Sequence, residues 1–299
     1  MSDVLHLACG GDVAYLPHTA AMVCSVLEHA GELDVHVHYL HAPELPQRDA
    51  RLFGEMVQGL GAAATLVAVT PDRIAGLPGV NHLTPAMWYR VFLPELLGDV
   101  GRVLYMDADA LAVDSLVPLW STDLGDATIA AVTNVFEPWN AAYAESLGLR
   151  KPYFNSGVMV IDLERMRAGE ATRQILEYAF ENLDRLPWGD QDPLNVVLGE
   201  HRLDLHPRWN CMNSVMVFDE AAGVFGAEAV AEARGRPGIR HFEGPSINKP
   251  WHLLCEWPGR EEYYRFRAQT PWPQVRRDGV TPRNVLRRVA RPLARRVRS

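Results

Sequence analysis

The alternation of apolar strand-like and helical segments over the first hundred residues constrains the fold of this chain most strongly. Strand-like segments lie at Val4–Cys9, Asp34–Leu40 and Ala64–Val69, and helical patterns follow the first two at Tyr15–Ala30 and after Pro46. Strands that alternate with helices indicate parallel βαβ units. The sequence therefore predicts an α/β fold with a mostly parallel central sheet flanked by helices.

The pattern continues beyond residue 80. The segment Thr84–Leu97 opens with a Thr and a Pro, a pair typical of a helix start, and predicts a helix. An apolar strand that ends in acids is expected at Arg102–Val113, and further strands at Thr128–Val135 and Tyr153–Leu163. Helices are expected up to about residue 186 and around Asp192–Gly199. Because no linker precedes about residue 270, we expect one domain over residues 1–270 and a tail over residues 271–299.

Composition and charge exclude several classes of protein. The 299 residues carry a formal net charge of −8, which argues against a nucleic-acid partner. No apolar run approaches the roughly 18–20 residues of a membrane-spanning helix, and the six apolar residues of Val4–Cys9 are too short for a signal peptide. The four cysteines are widely spaced, which indicates free thiols of a cytoplasmic protein rather than disulfides or a zinc ribbon.

The net charge conceals a contrast between the body and the C-terminus. Residues 276–299 hold nine Arg and one Asp, a net of +8, so residues 1–275 hold 36 acids and 20 bases, a net of −16. Only Lys151 and Lys249 are lysines. Each Lys therefore stands out from the arginines that otherwise supply the positive charge.

An acid pair follows the strand that starts at Arg102. In an extended segment Asp107 and Asp109 point the same way and can chelate one cation, and the carboxyl end of a parallel strand is where open α/β sheets bind ligands. Carboxylates suit Mg²⁺ or Mn²⁺, which would neutralise a diphosphate. Two solvated acids in a turn are the simpler alternative. A haloacid-dehalogenase-type phosphatase is a third, but such enzymes place the pair near the N-terminus and need a later acidic motif, which this sequence lacks.

A second polar segment, His241–Trp251, lies near the end of the body. Its His offers a nitrogen that suits Mn²⁺ better than Mg²⁺, Gly244 allows close backbone approach to a phosphate, and Lys249 can place a charge on a phosphate oxygen. The alternative is a strand end and turn with a solvated Lys.

Four segments in this order resemble glycosyltransferase family 8, the retaining GT-A enzymes that include lipooligosaccharide galactosyltransferases and glycogenin. The resemblance extends from about residue 3 to residue 267, and its segments are Val103–Leu124, Tyr153–Leu163, Trp188–Asn195 and His241–Trp251. It implies a GT-A fold with a Rossmann-like sheet. It also implies transfer of galactose or glucose from a UDP-sugar to an acceptor hydroxyl with retention, using Mn²⁺ or, as an alternative, Mg²⁺.

The resemblance also implies roles for individual residues. Asp107, Asp109 and His241 would hold the metal. The donor would be bound by Asp12 at the uracil, by Arg90, by Ala108, Gly244 and Lys249 near the diphosphate, and by Asn155, Ser156, Gly157, Asp190 and Gln191 around the sugar. Local structure offers simpler roles for some of them: a helix N-cap for Asp12 and Asp190, a surface ion pair for Arg90 and a β-bulge at Asn155.

Asp190 and Gln191 are the candidate catalytic residues. Retention can arise by front-face attack, in which UDP helps to deprotonate the acceptor, or through a nucleophile on the opposite face. A carboxylate is a better nucleophile than an amide. Front-face attack is favoured here, with Asp190 orienting the donor sugar and Gln191 facing the oxocarbenium-like centre.

The C-terminal tail combines apolar and basic residues. Arg separates apolar residues at helical spacing, namely Val285, Leu286, Val289, Leu293 and Val297. This pattern is typical of an interfacial amphipathic helix, and Arg clusters attract anionic headgroups. It predicts peripheral binding to the inner face of the cytoplasmic membrane and an acceptor that is a lipid-linked or cell-surface glycan. A solubilising tail, a small-molecule acceptor and a catalytically silent nucleotide-sugar-binding protein remain open.

Overall fold

A computed structural model describes residues 4–80, 84–135 and 139–296, with side chains except at residues 139–140 and 290–296. The strands are β1 (Leu5–Gly11), β2 (Val35–His41), β3 (Ala63–Ala68), β4 (Arg102–Met106), β5 (Ala110–Ala112), β6 (Ile129–Thr133), β7 (Phe154–Asp162), β8 (Arg202–Asp204) and β9 (Ile239–His241).

The α-helices are α1 (Leu16–His29), α2 (Gln47–Gly59), α3 (Leu93–Leu96), α4 (Val117–Trp120), α5 (Trp139–Ser146), α6 (Leu163–Ala168), α7 (Ala171–Glu181), α8 (Gln191–Leu198), α9 (Asn213–Val217), α10 (Ala221–Phe225), α11 (Ala227–Gly235), α12 (Arg260–Arg267) and α13 (Pro282–Arg296). Short 3₁₀ helices lie at Pro71–Ile74, Pro85–Phe92, Leu183–Arg185, Gly199–His201, Pro207–Asn210 and Ser246–Asn248.

The central sheet is mixed but mostly parallel. Within the described ranges it has seven strands in the order β3-β2-β1-β4-β7-β6-β8. Strands β3, β2, β1 and β4 are parallel neighbours, as are β6 and β8, whereas β7 is antiparallel to both β4 and β6. The predicted α/β fold is confirmed. Because β7 runs in the opposite sense, its start lies at the edge where β1 and β4 end.

The acid-bearing segment differs from the prediction of one strand over Arg102–Val113. Strand β4 ends at Met106, the chain turns through Asp107–Asp109, and β5 joins a separate two-stranded sheet with β9. The N–H of Ala110 donates to the carbonyl of Asp107 at 3.0 Å, which closes the turn. Since Ala110 is the register partner of His241, the change of sheet brings the acids beside that imidazole.

The predicted helix over Thr84–Leu97 is present in a tighter form. It is a 3₁₀ helix over Pro85–Phe92 that continues into the short helix α3. Pro94 has no N–H to donate to the carbonyl of Arg90, so a continuous α-helix would lose a bond there. The N–H of Leu93 donates to that carbonyl instead, which is the 3₁₀ pattern.

Apolar side chains cover both faces of the sheet. Along β1, Leu5, Leu7 and Cys9 face one buried cluster and Ala8 faces another, as the alternation of a strand requires. All four cysteines lie in the described part and are buried free thiols, as predicted. None of the helices in the described residues is long and apolar enough to cross a membrane.

The chain after residue 270 stays in contact with the body. The N–H of Leu253 donates to the carbonyl of Asp278 at 2.9 Å, and the indole of Trp251 donates to the Asp278 carboxylate at 3.1 Å. Helix α13 follows. Of the predicted tail residues, Val285, Leu286 and Val289 are exposed on this helix, the side chain of Leu293 is not described, and Val297 lies outside the described residues. The boundary at residue 270 stays a prediction.

Candidate functional site

A pocket of about 470 Å³ opens at the sheet edge where β1 and β4 end and β7 begins. Most of the predicted site residues line it: Asp12, Arg90, Asp107, Ala108, Asp109, Asn155, Ser156, Gln191, His241, Gly244 and Lys249. Gly157 and Asp190 are not among the lining residues, and each contacts side chains that are. Segments distant in sequence therefore meet at one edge of the sheet.

Two carboxylates and one imidazole converge on the wall of the pocket. Asp107, Asp109 and His241 each present a ligand atom, and these atoms lie within 4.8 Å of one another. Among these atoms, His241 Nε2 lies 3.4 Å from Asp109 Oδ1. Two oxygens and one nitrogen form a donor set that suits Mn²⁺.

Gly157 makes room for this cluster. A Cβ atom at Gly157 would lie 2.4 Å from Cε1 of His241 and 2.7 Å from Oδ2 of Asp107. The pairing between β6 and β7 is irregular here, because Ala131 pairs with Met159 and the next residue, Val132, pairs with Asn155. Local structure had suggested a β-bulge at this place. The glycine is therefore required sterically, because any side chain would push apart the groups that form the cluster.

The orientation of the His241 ring follows from a chain of hydrogen bonds that starts at a backbone amide. The N–H of Gly157 donates to Oδ1 of Asn155 at 3.0 Å, which identifies that atom as an acceptor. The amide atom of Asn210 that lies 2.8 Å from the same oxygen is therefore the donor Nδ2. The other amide atom of Asn210 is then its oxygen, which lies 2.9 Å from Nδ1 of His241. Nδ1 therefore carries the proton, and Nε2 turns a lone pair towards Asp109.

Lys249 is paired with the second acid of the cluster. Its ammonium donates to Oδ2 of Asp109 and, at 3.2 Å, to the carbonyl of Phe242. Burial favours a higher pKa for Asp109, but the positive charge of Lys249, together with the contact to His241, outweighs it and holds the pKa below its usual range. Asp109 therefore stays ionised, with the ammonium at a position where a metal ion would also be attracted.

Arg90 forms a buried ion pair behind the pocket wall. Its Nε and Nη2 donate to the two carboxylate oxygens of Asp190, and its Nη1 donates to the Ser156 carbonyl at 3.0 Å and to Asp107 at 3.2 Å. Asp190 is fully buried and Arg90 is 7% exposed. Burial raises the pKa of Asp190, and Arg90 offsets part of that rise. This pair is a buried one rather than the surface pair that local structure had suggested for Arg90.

Asp190 and Gln191 occupy different environments. Asp190 is the N-cap residue that precedes helix α8, but its side chain bonds Arg90 and makes no capping hydrogen bond. Gln191 lines the pocket, where its Oε1 accepts from the N–H of Ser156 at 2.9 Å and from the Ser156 hydroxyl at 3.1 Å. Of the two candidate catalytic residues, Gln191 is therefore the one whose side chain is at the pocket surface.

Asp12 connects the first strand to the rim of the pocket. Its carboxylate accepts from the N–H of Tyr15 at 3.0 Å and from the hydroxyl of Thr84 at 3.1 Å. The first contact closes the turn that precedes helix α1, whose N-cap residue is Tyr15, so the N-cap role suggested for Asp12 is wrong. Asp12 lines the pocket.

Sequence reasoning missed two residues that support the site. Tyr105 donates its hydroxyl to Asp107 at 2.9 Å, and Asn210 holds His241 as described. Tyr105 lies within the predicted strand, and no motif marks its side chain. Asn210 lies in an irregular region beside Trp209, and no spacing pattern marks it. Three tryptophans lie in or near the segments that carry the family resemblance: Trp209 and Trp251 pack in the core, and Trp188 lines the pocket.

A family model, curated relatives and solved structures match this chain. The model of glycosyl transferase family 8 matches residues 6–255. General stress protein A of Bacillus subtilis is 29% identical over 279 residues, which cover 91% of this chain and 96% of that protein. Lipopolysaccharide 1,3-galactosyltransferase of Salmonella typhimurium is 25% identical over 280 residues, which cover 91% of this chain and 80% of that protein. The crystal structure of galactosyltransferase LgtC with donor and acceptor sugar analogues superposes with a TM-score of 0.79 at 25% identity, covering 89% and 96%.

Proposed function

This chain belongs to glycosyltransferase family 8, and from that membership we propose that it transfers galactose or glucose from a UDP-sugar to an acceptor hydroxyl with retention. The observation that carries the proposal is the convergence of Asp107, Asp109 and His241 within 4.8 Å in the pocket. Relatives named as lipopolysaccharide glucosyl- and galactosyltransferases support a hexose donor and a glycan acceptor.

The three converging side chains would hold one divalent ion, with Mn²⁺ preferred over Mg²⁺. The close approach of His241 and Asp107 that Gly157 permits, and the lone pair that Nε2 of His241 directs at Asp109, fit such an ion. When bound, the ion stabilises negative charge that develops on the leaving diphosphate, an effect commonly worth several kcal/mol. Ala108 lies between the two acids on the pocket wall, where its backbone would face the donor.

Other pocket residues would bind the rest of the donor. Lys249 would move from Asp109 to a diphosphate oxygen once the ion neutralises that acid. Gly244 has a φ of +94° and would bring its backbone close to the diphosphate, which a side chain would hinder. Asp12, at the far rim, would accept from the uracil N–H.

The donor sugar would lie against Asn155, Ser156 and Gln191. Front-face attack is the mechanism we propose, because the pocket surface carries the Gln191 amide while both oxygens of Asp190 are bonded to Arg90. The acceptor hydroxyl forms the new bond to the anomeric carbon as the bond to UDP breaks, and its proton passes to the departing diphosphate. Asp190 would act by fixing Arg90, and Gln191 would face the positive charge at the anomeric carbon.

Donor hydrolysis tests the proposal without knowledge of the acceptor. UDP release from UDP-galactose and UDP-glucose should require Mn²⁺ and stop with EDTA. The rate of UDP release should fall about 100-fold or more in Asp109→Asn and in His241→Ala, since removing one transition-state stabiliser costs about 3 kcal/mol. Asp219→Asn, an exposed acid, is the matched control and should keep its rate. Near-normal turnover in both site variants would contradict the metal assignment, and donor binding without any turnover would favour a silent binding protein.

We further propose that helix α13 binds the cytoplasmic face of the membrane, where a lipid-linked acceptor would reside. Val285, Leu286 and Val289 are 44%, 69% and 63% exposed, and they lie among arginines. Apolar side chains on a basic helix suit an anionic lipid surface.

Vesicle sedimentation tests this membrane proposal. The full chain should bind phosphatidylglycerol vesicles and not phosphatidylcholine vesicles. The triple variant Val285→Ser, Leu286→Ser, Val289→Ser should lose binding, whereas Leu60→Ser with Leu183→Ser, exposed apolar residues elsewhere, should keep it. Equal binding by the triple variant and the parent chain would refute the proposal and favour a small-molecule acceptor.

A further inference from the structure

Three histidines meet on one face of the central sheet, away from the pocket. Strands β1 and β2 are parallel neighbours in which His6 is the register partner of His36, and His38 lies two residues further along β2. Residues two apart on a strand point to the same side of the sheet. The three imidazoles therefore project from one patch, which two adjacent strands hold in fixed register.

The nitrogen atoms of the three rings come close together. One ligand nitrogen from each ring lies within 4.8 Å of the other two, and Nδ1 of His6 is 2.9 Å from Nε2 of His38. A tetrahedral ion with metal–nitrogen distances of about 2.0–2.1 Å separates its ligand atoms by about 3.3 Å. Small rotations of the rings about their Cβ–Cγ bonds would thus bring three lone pairs to one point.

The surroundings of the rings are compatible with a ligand. His38 is 4% exposed, and Nε2 is the nitrogen that it turns towards His6. His36 Nε2 lies 2.8 Å from the hydroxyl of Thr65, a contact of the kind that orients a metal-ligating ring. His6 and His36 are half-buried, which leaves a side open to solvent.

We propose that His6, His36 and His38 form a second metal site, for a transition-metal ion of the Zn²⁺, Cu²⁺ or Ni²⁺ class with one position open to water. A ligand set of three imidazoles selects these ions over Mg²⁺ and Mn²⁺, which prefer oxygen. The site differs in chemistry from the oxygen-rich cluster in the pocket. It is also separate from the pocket, because none of the three histidines is among the residues that line it.

An ion at this position would tie β1 to β2. It would bind the folded chain and not the unfolded one, and would therefore raise the melting temperature by mass action. It touches no residue of the pocket, so donor turnover with Mn²⁺ should not depend on it.

Zinc titration of the full-length, metal-stripped chain tests the proposal, with Zn²⁺ in competition with a chromophoric chelator. His6→Gln and His36→Gln replace half-buried side chains, and each should lower the affinity for one equivalent of Zn²⁺ at least 10-fold. His201→Gln replaces an exposed histidine and should leave that affinity unchanged. Asp109→Asn should bind that equivalent of Zn²⁺ with unchanged affinity, because Asp109 belongs to the cluster in the pocket. Donor hydrolysis by His36→Gln should match the parent, which shows that the variant is folded.

Two results would overturn the second site. One is wild-type Zn²⁺ affinity and stoichiometry in both His6→Gln and His36→Gln. The other is loss of all tight Zn²⁺ binding in Asp109→Asn. A Co²⁺-loaded chain gives an independent reading, since three imidazoles and a water produce intense visible bands that His36→Gln should remove; bands that persist in that variant would also overturn the assignment.

Discussion

The buried pair of Arg90 and Asp190 allows a quantitative prediction. Arg90→Met removes the guanidinium and leaves a carboxylate that is fully buried, with both oxygens deprived of their donors. Breaking a buried ion pair from one side costs about 3–5 kcal/mol, because the remaining charge is left uncompensated. We therefore expect the free energy of unfolding to fall by about 3–5 kcal/mol at neutral pH.

The pH dependence of this loss has a definite sign. Burial raises the pKa of Asp190, and removing Arg90 takes away the charge that offsets that rise. In the variant the folded state then binds a proton that the unfolded state, with a carboxyl pKa of about 3.9, has released. Stability of the variant should therefore fall as pH rises through the folded pKa. The difference between variant and parent should shrink as pH is lowered.

Urea unfolding followed by tryptophan fluorescence measures this effect from the midpoint and slope of the transition. Arg173→Met is the matched control, since Arg173 also bonds two carboxylates, those of Glu170 and Glu177, but at the surface. Its midpoint should stay close to that of the parent chain, because exposed pairs are screened by water. A loss in Arg90→Met no larger than that in Arg173→Met, or one that grows as pH falls, would refute this reasoning.

Three further predictions concern the metal cluster. Gly157→Ala should weaken Mn²⁺ binding about 10- to 100-fold, because its Cβ displaces His241 and Asp107. Gly54→Ala, with open space around it, should leave the affinity unchanged. Equal Mn²⁺ affinities of the two variants, measured by electron paramagnetic resonance, would exclude the steric argument. Asn210→Ala frees the His241 ring and should weaken Mn²⁺ binding by a similar factor, while Asn182→Ala should leave it unchanged. A parent-like Mn²⁺ affinity in Asn210→Ala would show that other contacts hold the ring. Lys249→Met removes the cation that is paired with Asp109, so Mn²⁺ should bind more tightly in the absence of donor. The kcat for donor cleavage should nevertheless fall about 100-fold, because a charge on the diphosphate is lost. Weaker Mn²⁺ binding in this variant would show that Lys249 does not compete with the metal.

The sequence allowed the parallel half of the sheet to be predicted because its strands and helices alternate with clear periodicity. It did not predict that the chain would change sheets at Asp107–Asp109, since the apolar run continues to Val113. That change depends on pairing between β5 and β9, which are far apart in sequence. The 3₁₀ helix at Pro85–Phe92 was missed in type because Pro94 acts on a bond four residues earlier.

The site was predictable where residue type and spacing carry chemistry, as at Asp107, Asp109 and His241. Supporting contacts were not, because they depend on three-dimensional packing. Asn210 reaches His241 across 31 residues, and Asp190 reaches Arg90 across 100. No local pattern distinguishes a residue that bonds such a distant partner from one that caps a helix or faces solvent.

The stereochemistry of donor cleavage tests the central claim most directly. The chain is incubated with Mn²⁺ and UDP-galactose or UDP-glucose, and ¹H NMR follows the anomeric signal of the released hexose before it mutarotates. The α-configured donor should be consumed only with Mn²⁺ and should yield the α-hexose first, and Asp109→Asn should yield none. Initial release of the β-hexose, or equal consumption after EDTA treatment, would contradict a metal-dependent retaining hexosyltransferase.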